Sequence, residues 1–128
     1  IETSIRRAEN DGANATARRI AATWFLHGED AAEYLACAAI AERAELYAIR
    51  SGLLAMKSWS GEAHLTDIRA ETLIICGDSD RSYSWAQTQS LWKGIEGSSL
   101  AVLPGCAHAA HLEAPNLFNM ALNRFLRL

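Results

Sequence analysis

Two different hydrophobic periods divide the chain. From residue 1 to residue 59 the apolar positions recur at helical spacing, in an alanine-rich and proline-free background. Asp11-Gly12 breaks off a short first segment. Asn14 is placed to cap a helix running to Leu26, with Ile20 and Trp24 on one face and Gly28 after its end. Asp30 is placed to cap a second helix through Tyr34, Leu35 and Ala38. Leu46, Ile49, Leu53 and Met56 mark the apolar stripe of a third, from Ala44 to Ser58. Packing within its own domain is the ordinary reading of such a stripe. A substrate-lining role for Met56 or for the neighbouring Trp59 is the rarer one.

Residues 60–70, containing Ser60-Gly61, read as a connector, and beyond it the period changes. Thr72 to Cys76 is a continuous β-branched and aliphatic run, as a strand buried on both faces requires. Ser84 to Ile95 reads as a helix with Leu91, Trp92 and Ile95 on one side, and Ser99 to Leu103 as a second strand. The connection contains a helix, so the strands are expected to be parallel, joined by a right-handed crossover. Pro115 opens a final helix whose Phe118, Leu122, Phe125 and Leu126 form a core-facing stripe. The predicted class is α/β: a helical segment followed by a β-α-β-α unit. Two strands that are apolar on both faces normally lie inside a larger sheet, and a two-stranded unit is marginal alone. Either the helical half folds over them or their neighbours come from elsewhere, so the chain reads as incomplete.

Composition narrows the function classes. The 128 residues are enough for one core, and half of them are apolar, as in a soluble globular protein. The formal charge is −3 and the basic residues are scattered, as in Arg6-Arg7 and Arg18-Arg19, which argues against a nucleic-acid surface. No apolar run reaches membrane-spanning length and no signal peptide opens the sequence. Cys37, Cys76 and Cys106 lack CxxC spacing; Cys37 and Cys76 read as small core residues, which fits a reducing cytoplasm. Asn14-Ala15-Thr16 matches a glycosylation pattern but reads as a helix start. The chain begins at Ile1 instead of Met, which points to processing or truncation.

Chemistry gathers beyond the two strands. The first runs into Gly77-Asp78-Ser79-Asp80, the second into Pro104-Gly105-Cys106-Ala107-His108. Functional groups of open parallel sheets collect just past the carboxyl ends of the strands, so these loops should lie side by side. An ionised Asp80 accepting the imidazole N–H of His108 would fix its tautomer and stabilise the imidazolium formed when the ring takes a proton. Gly77 and Gly105 would let each loop turn off its strand. Such a pair needs a nucleophile, commonly a serine in Gly-x-Ser-x-Gly, and this sequence contains no such pentapeptide. His108-x-x-His111 is a common spacing without a third ligand set, so a metal is not expected. His27 and His64 read as exposed, and Tyr83, Trp85 and Trp92 as packing residues, with Trp85 near enough to the acid loop to reach a pocket.

The ordered set Leu73 to Asp80, then Pro104 to His108, then His111-Leu-Glu-Ala-Pro115-Asn-Leu-Phe-Asn119 resembles the C-terminal end of an α/β-hydrolase. The likeness covers residues 65–128 closely and extends loosely to the helical half, which is similar to the cap inserted before the last strands of such enzymes. The resemblance implies two regions: a cap-like segment over 1–64 and a C-terminal lobe over 65–128. It implies Asp80 as the triad acid in preference to Asp78, which would support the loop, and His108 as the general base. His111 and Glu113 would fix the loop and helix start, with Glu113 placing negative charge near the following helix N-terminus. Glu71 and Ser84 stand where many relatives have proline.

The family implies a hydrolase of esters, lactones or activated C–C bonds that needs no cofactor and takes a small acyl or carbonyl substrate. The nucleophile, serine or (as in dehalogenase-like relatives) aspartate, lies outside these residues, so the isolated chain is expected to be inactive. The competing expectation is a non-catalytic scaffold whose exposed strand edge pairs with another chain, as in a homodimer.

Overall fold

A computed structural model of the chain describes residues 2–127; Ile1 and Leu128, the outer ends of the two predicted regions, lie outside the described residues. By contacts the chain divides into two compact units. One is Ile1–Thr23 with His27–Ser60, the other Trp24–Leu26 with Gly61–Leu128.

The first unit is helical. Helix α1 spans Glu2–Ala22, α2 Tyr34–Ala41 and α3 Leu46–Ser58, and α1 packs on both of the others. The expected break at Asp11-Gly12 is present, since Gly12 leaves helical geometry at φ 83°, ψ 174°. Small side chains let the helices approach: Ala8, Ala17 and Ala21 of α1 and Ala38 of α2 are buried. Arg18 reaches Glu42 at 3.2 Å and its guanidinium lies 5.5 Å from the Tyr34 ring centroid, which ties α1 to α2.

Three boundaries differ from the sequence reading. The first helix stops at Ala22, four residues short of Leu26, because residues 24–26 are drawn into the second unit. Asp30 lies in a 3-10 turn, Gly28–Asp30, and does not cap α2, whose N-cap is Glu33 without a side-chain bond. The third helix starts at Leu46 with Glu45 at its N-cap.

The second unit is a parallel β-α-β-α arrangement. Strand β1 (Leu73–Gly77) pairs in parallel with β2 (Ser99–Leu103), with Leu73 opposite Ser99 and Gly77 opposite Leu103. Helix α4 (Trp85–Gly94) makes the crossover, and a four-residue turn of helix, α5 (Ala110–Glu113), leads into α6 (Pro115–Leu126). The start of α4 is set by a capping box: the Ser84 hydroxyl accepts the Gln87 N–H while the Gln87 side chain accepts the Ser84 N–H. That Ser84-x-x-Gln87 signal was present in the sequence. Paired residues share a face, so Ile75 and Leu103 join Cys106, Ala110 and Phe118 in the core on the α6 side. Leu91 and Trp92, expected to face inward from α4, are exposed, and of that stripe Ile95 alone is buried. Leu126, expected in the α6 stripe, is also exposed, whereas Phe118, Leu122 and Phe125 are half-buried. Among the described residues no helix is long and apolar enough to cross a membrane.

Candidate active site

The two loops beyond β1 and β2 interlock through backbone groups. The Asp78 N–H donates to Leu103 O at 3.0 Å, and the Ser79 N–H to Cys106 O at 2.9 Å. A Cβ built on Gly77 would collide with the carbonyl oxygens of Cys106 and Ala107, so the second loop can close over the first only where that side chain is missing. Gly105 has φ +65°, the left-handed turn that carries the chain from Pro104 back toward His108. The two glycines therefore differ: Gly105 makes a turn, and Gly77 permits a close approach.

This framework brings Asp80 and His108 together. Asp80 Oδ2 lies 3.0 Å from His108 Nδ1. Its other oxygen, Oδ1, accepts the N–H groups of Ser82 at 2.7 Å and Tyr83 at 3.2 Å. One oxygen is thus committed to the local turn and the second is aimed at the imidazole. The Asp80 side chain is 12% exposed and that of His108 37%. Burial pushes the Asp80 carboxyl upward, but the hydrogen bonds to His108, Ser82 and Tyr83 outweigh it and hold the group below its ordinary value. The Tyr83 ring stands 5.4 Å from the imidazole, centroid to centroid, at an interplanar angle of 38°.

Asp78 takes a different place. Its Oδ1 accepts the Ser79 hydroxyl at 3.0 Å and the Gly105 N–H at 2.9 Å, so it braces one loop against the other. Glu113 directly precedes Ala114, the N-cap of α6, and its carboxylate is also taken up by two backbone N–H groups. Its Oε2 accepts the Ala107 N–H and its Oε1 the Leu26 N–H, both at 2.6 Å. The His111 ring packs edge-on against Phe118, 5.8 Å away.

A cleft of about 160 Å³ opens beside the pair, lined by Cys76, Asp78, Asp80, Tyr83, Trp85 and Val102. Trp85, ordinarily expected to pack, is exposed and lines this cleft. The Cys76 thiol is half-buried and is pushed up by burial and then by the charge of Asp80, so it is a poor nucleophile. Burial, followed by the charge of Glu113, raises Cys106 in the same direction. Met56 and Trp59 belong to the first unit and are exposed, Trp59 at 77%, while Asp80, His108 and Trp85 belong to the second.

Sequence reasoning missed Arg81 and the Trp24–Leu26 segment. Arg81 Nη2 donates to Phe25 O at 2.8 Å and to Leu26 O at 3.2 Å. The Ala109 N–H donates to Trp24 O at 2.8 Å. Nothing local marks residues 24–26, because they continue the helical pattern before them.

No family model matches the sequence. A stretch of 62 residues, 48% of this chain, is 37% identical to 2-hydroxy-6-oxononadienedioate/2-hydroxy-6-oxononatrienedioate hydrolase of Escherichia coli. It covers 22% of that relative, so the matched segment is about a fifth of its length. The bromoperoxidase of Bacillus anthracis superposes over 99% of this chain with a TM-score of 0.88 at 24% identity. The enol-lactonase of Burkholderia xenovorans LB400 does so over 98% with a TM-score of 0.79 at 20% identity. The chain spans about half the length of each, 48% and 49%. These likenesses show the fold, that of the C-terminal portion of an α/β-hydrolase.

Proposed function

We propose that the chain supplies the acid and the general base of a hydrolytic triad, with Asp80 as the acid and His108 as the base. The observation that carries this reading is the 3.0 Å approach of Asp80 Oδ2 to His108 Nδ1 while Oδ1 is held by two N–H groups. With Nδ1–H donated to Asp80, Nε2 is the atom left to accept a proton. A nucleophile from outside these residues attacks the substrate carbonyl and its proton passes to Nε2. The imidazolium, stabilised by the ionised Asp80, returns that proton to the leaving group, and water repeats the cycle to free the acid. Keeping the Asp80 carboxyl below its ordinary value keeps it charged through both transfers.

The bond cleaved is an ester, a lactone or an activated C–C bond. The C–C class rests on the Escherichia coli hydrolase and the lactone class on the Burkholderia enol-lactonase. Trp85 is proposed to contact the acyl portion, a reading supported by its place in the lining of the cleft beside Asp80. Met56 and Trp59 are proposed as pocket residues from sequence alone. The purified 128-residue chain should not hydrolyse aryl esters, enol-lactones or dienoate ketones. Expressed with the reading frame upstream of Ile1, it should do so and lose that activity in His108→Ala. Turnover by the 128-residue chain that His108→Ala abolishes would refute the missing-nucleophile part. Full activity of His108→Ala in the longer protein would refute the triad assignment.

A second reading has one observation in its favour. Among the described residues the sheet has two strands, so each has an unpaired edge. A non-catalytic lobe would close such an edge with a second copy of itself. Light scattering tests the pairing, and a monomer at high concentration counts against this reading. A natural start codon near Ile1 in the genomic reading frame would favour it, and a Gly-x-Ser-x-Gly segment upstream in the same frame would favour the enzyme.

A further inference from the structure

We propose that Glu113 is a positioning residue for His108, acting by tying the backbone just before the histidine to the Trp24–Leu26 segment. The inference rests on the reading of Asp80 and His108 as an acid-base pair. Its basis is the hydrogen bonding on both sides of the imidazole. The N–H of Ala107, directly before His108, donates to Glu113 Oε2 at 2.6 Å. Glu113 Oε1 accepts the N–H of Leu26, 87 positions away, at the same distance. The N–H of Ala109, directly after His108, donates to Trp24 O at 2.8 Å. The peptides flanking His108 are therefore anchored to the same three residues, one directly and one through the carboxylate.

The acid is anchored there as well. Arg81, directly after Asp80, donates from Nη2 to Phe25 O and Leu26 O. Both members of the pair are thus referred to a common segment, and their separation depends on how firmly it is held. Ala107 and Ala109 are buried, so an N–H there that loses its acceptor has no water to replace it. A carboxylate offers two acceptors to two donors at charge-assisted strength. Gln offers one acceptor and would point its NH₂ at the other N–H, so it matches Glu113 in size but not in function.

The test is nuclear magnetic resonance of the isotope-labelled 128-residue chain, read at the His108 ring. Wild type, Asp80→Asn and Glu113→Gln are compared for the Nδ1–H resonance, its exchange with water and the titration of the ring. Asp80→Asn should shift the resonance upfield. Glu113→Gln, with its far-UV circular dichroism retained, should speed Nδ1–H exchange by about an order of magnitude, as a weakened hydrogen bond requires. Wild-type ring behaviour in Glu113→Gln, with Asp80→Asn clearly altered, overturns the inference. An unaltered ring in Asp80→Asn overturns the acid-base reading, and this inference with it. Should Glu113→Gln not fold, couplings across the hydrogen bonds from the Ala107 and Leu26 amide nitrogens to Glu113 Cδ are measured in the unsubstituted chain. Their presence supports the bridge and their absence overturns it.

Discussion

Asp78 Oδ1 accepts the backbone N–H of Gly105 at 2.9 Å, so a side chain of the first loop holds the backbone of the second. The bond falls at the left-handed turn that returns the chain toward His108. Asp78→Ala removes the acceptor of both Gly105 and the Ser79 hydroxyl, and it should destabilise the fold by about 1–2 kcal/mol. Asp78→Asn keeps a carbonyl oxygen and should recover most of the loss. Urea denaturation of the two variants checks this, and equal stabilities would count against the brace.

Gly77→Ala should be far more damaging than its one added methyl implies. The obstructing atoms are backbone carbonyls of Cys106 and Ala107, which cannot rotate away as a side chain could. The two loops must separate, and the loss of stability should be at least about 2 kcal/mol. A near-neutral denaturation curve for Gly77→Ala would mean that the loops are not packed this closely.

The Asp80 carboxyl gives a pH dependence of known sign. Its folded value lies below the ordinary carboxylate value, so the unfolded chain binds its proton first as pH falls. The stabilisation is complete above the unfolded value of about 3.9. It disappears as pH drops through the lower folded value. The stability difference between wild type and Asp80→Asn should therefore shrink on acidification below that point. A difference that grows on acidification would contradict the hydrogen-bond pattern around Oδ1 and Oδ2.

The strands and the Asp80–His108 approach were legible in sequence because each follows from short-range rules. A continuous aliphatic run marks a strand, and a helix between two such runs makes them parallel; the expected burial on both faces is not met, since Val102 of β2 is exposed. Parallel neighbours then bring their terminal loops together without further information. Residues 24–26 were not legible for the opposite reason. Trp24 continues the face begun by Ile20, and what pulls it out of the helix is a set of bonds from Arg81, Ala109 and Glu113, far away in sequence. Leu91 and Trp92 show a second limit. Periodicity identifies the apolar side of α4 but not what, if anything, lies against it.

The removal of residues 24–26 from the first helix gives the sharpest contrast between two aromatic side chains of the helical half. Phe25 is 0% exposed and is counted with the second unit, whereas Trp59 is 77% exposed. Phe25→Ala empties a packed site and should cost about 3–5 kcal/mol. It should also weaken the bonds that flanking Trp24 and Leu26 make with Ala109 and Glu113, so the amide protons of Leu26, Ala107 and Ala109 should exchange faster. Trp59→Ala removes the larger side chain from solvent and should change stability by no more than about 0.5 kcal/mol. Denaturation and amide exchange of the two variants separate the cases. Had the helix run on through Leu26, Phe25→Ala would leave the amides of Ala107 and Ala109 untouched, and that result would place the segment outside the second unit.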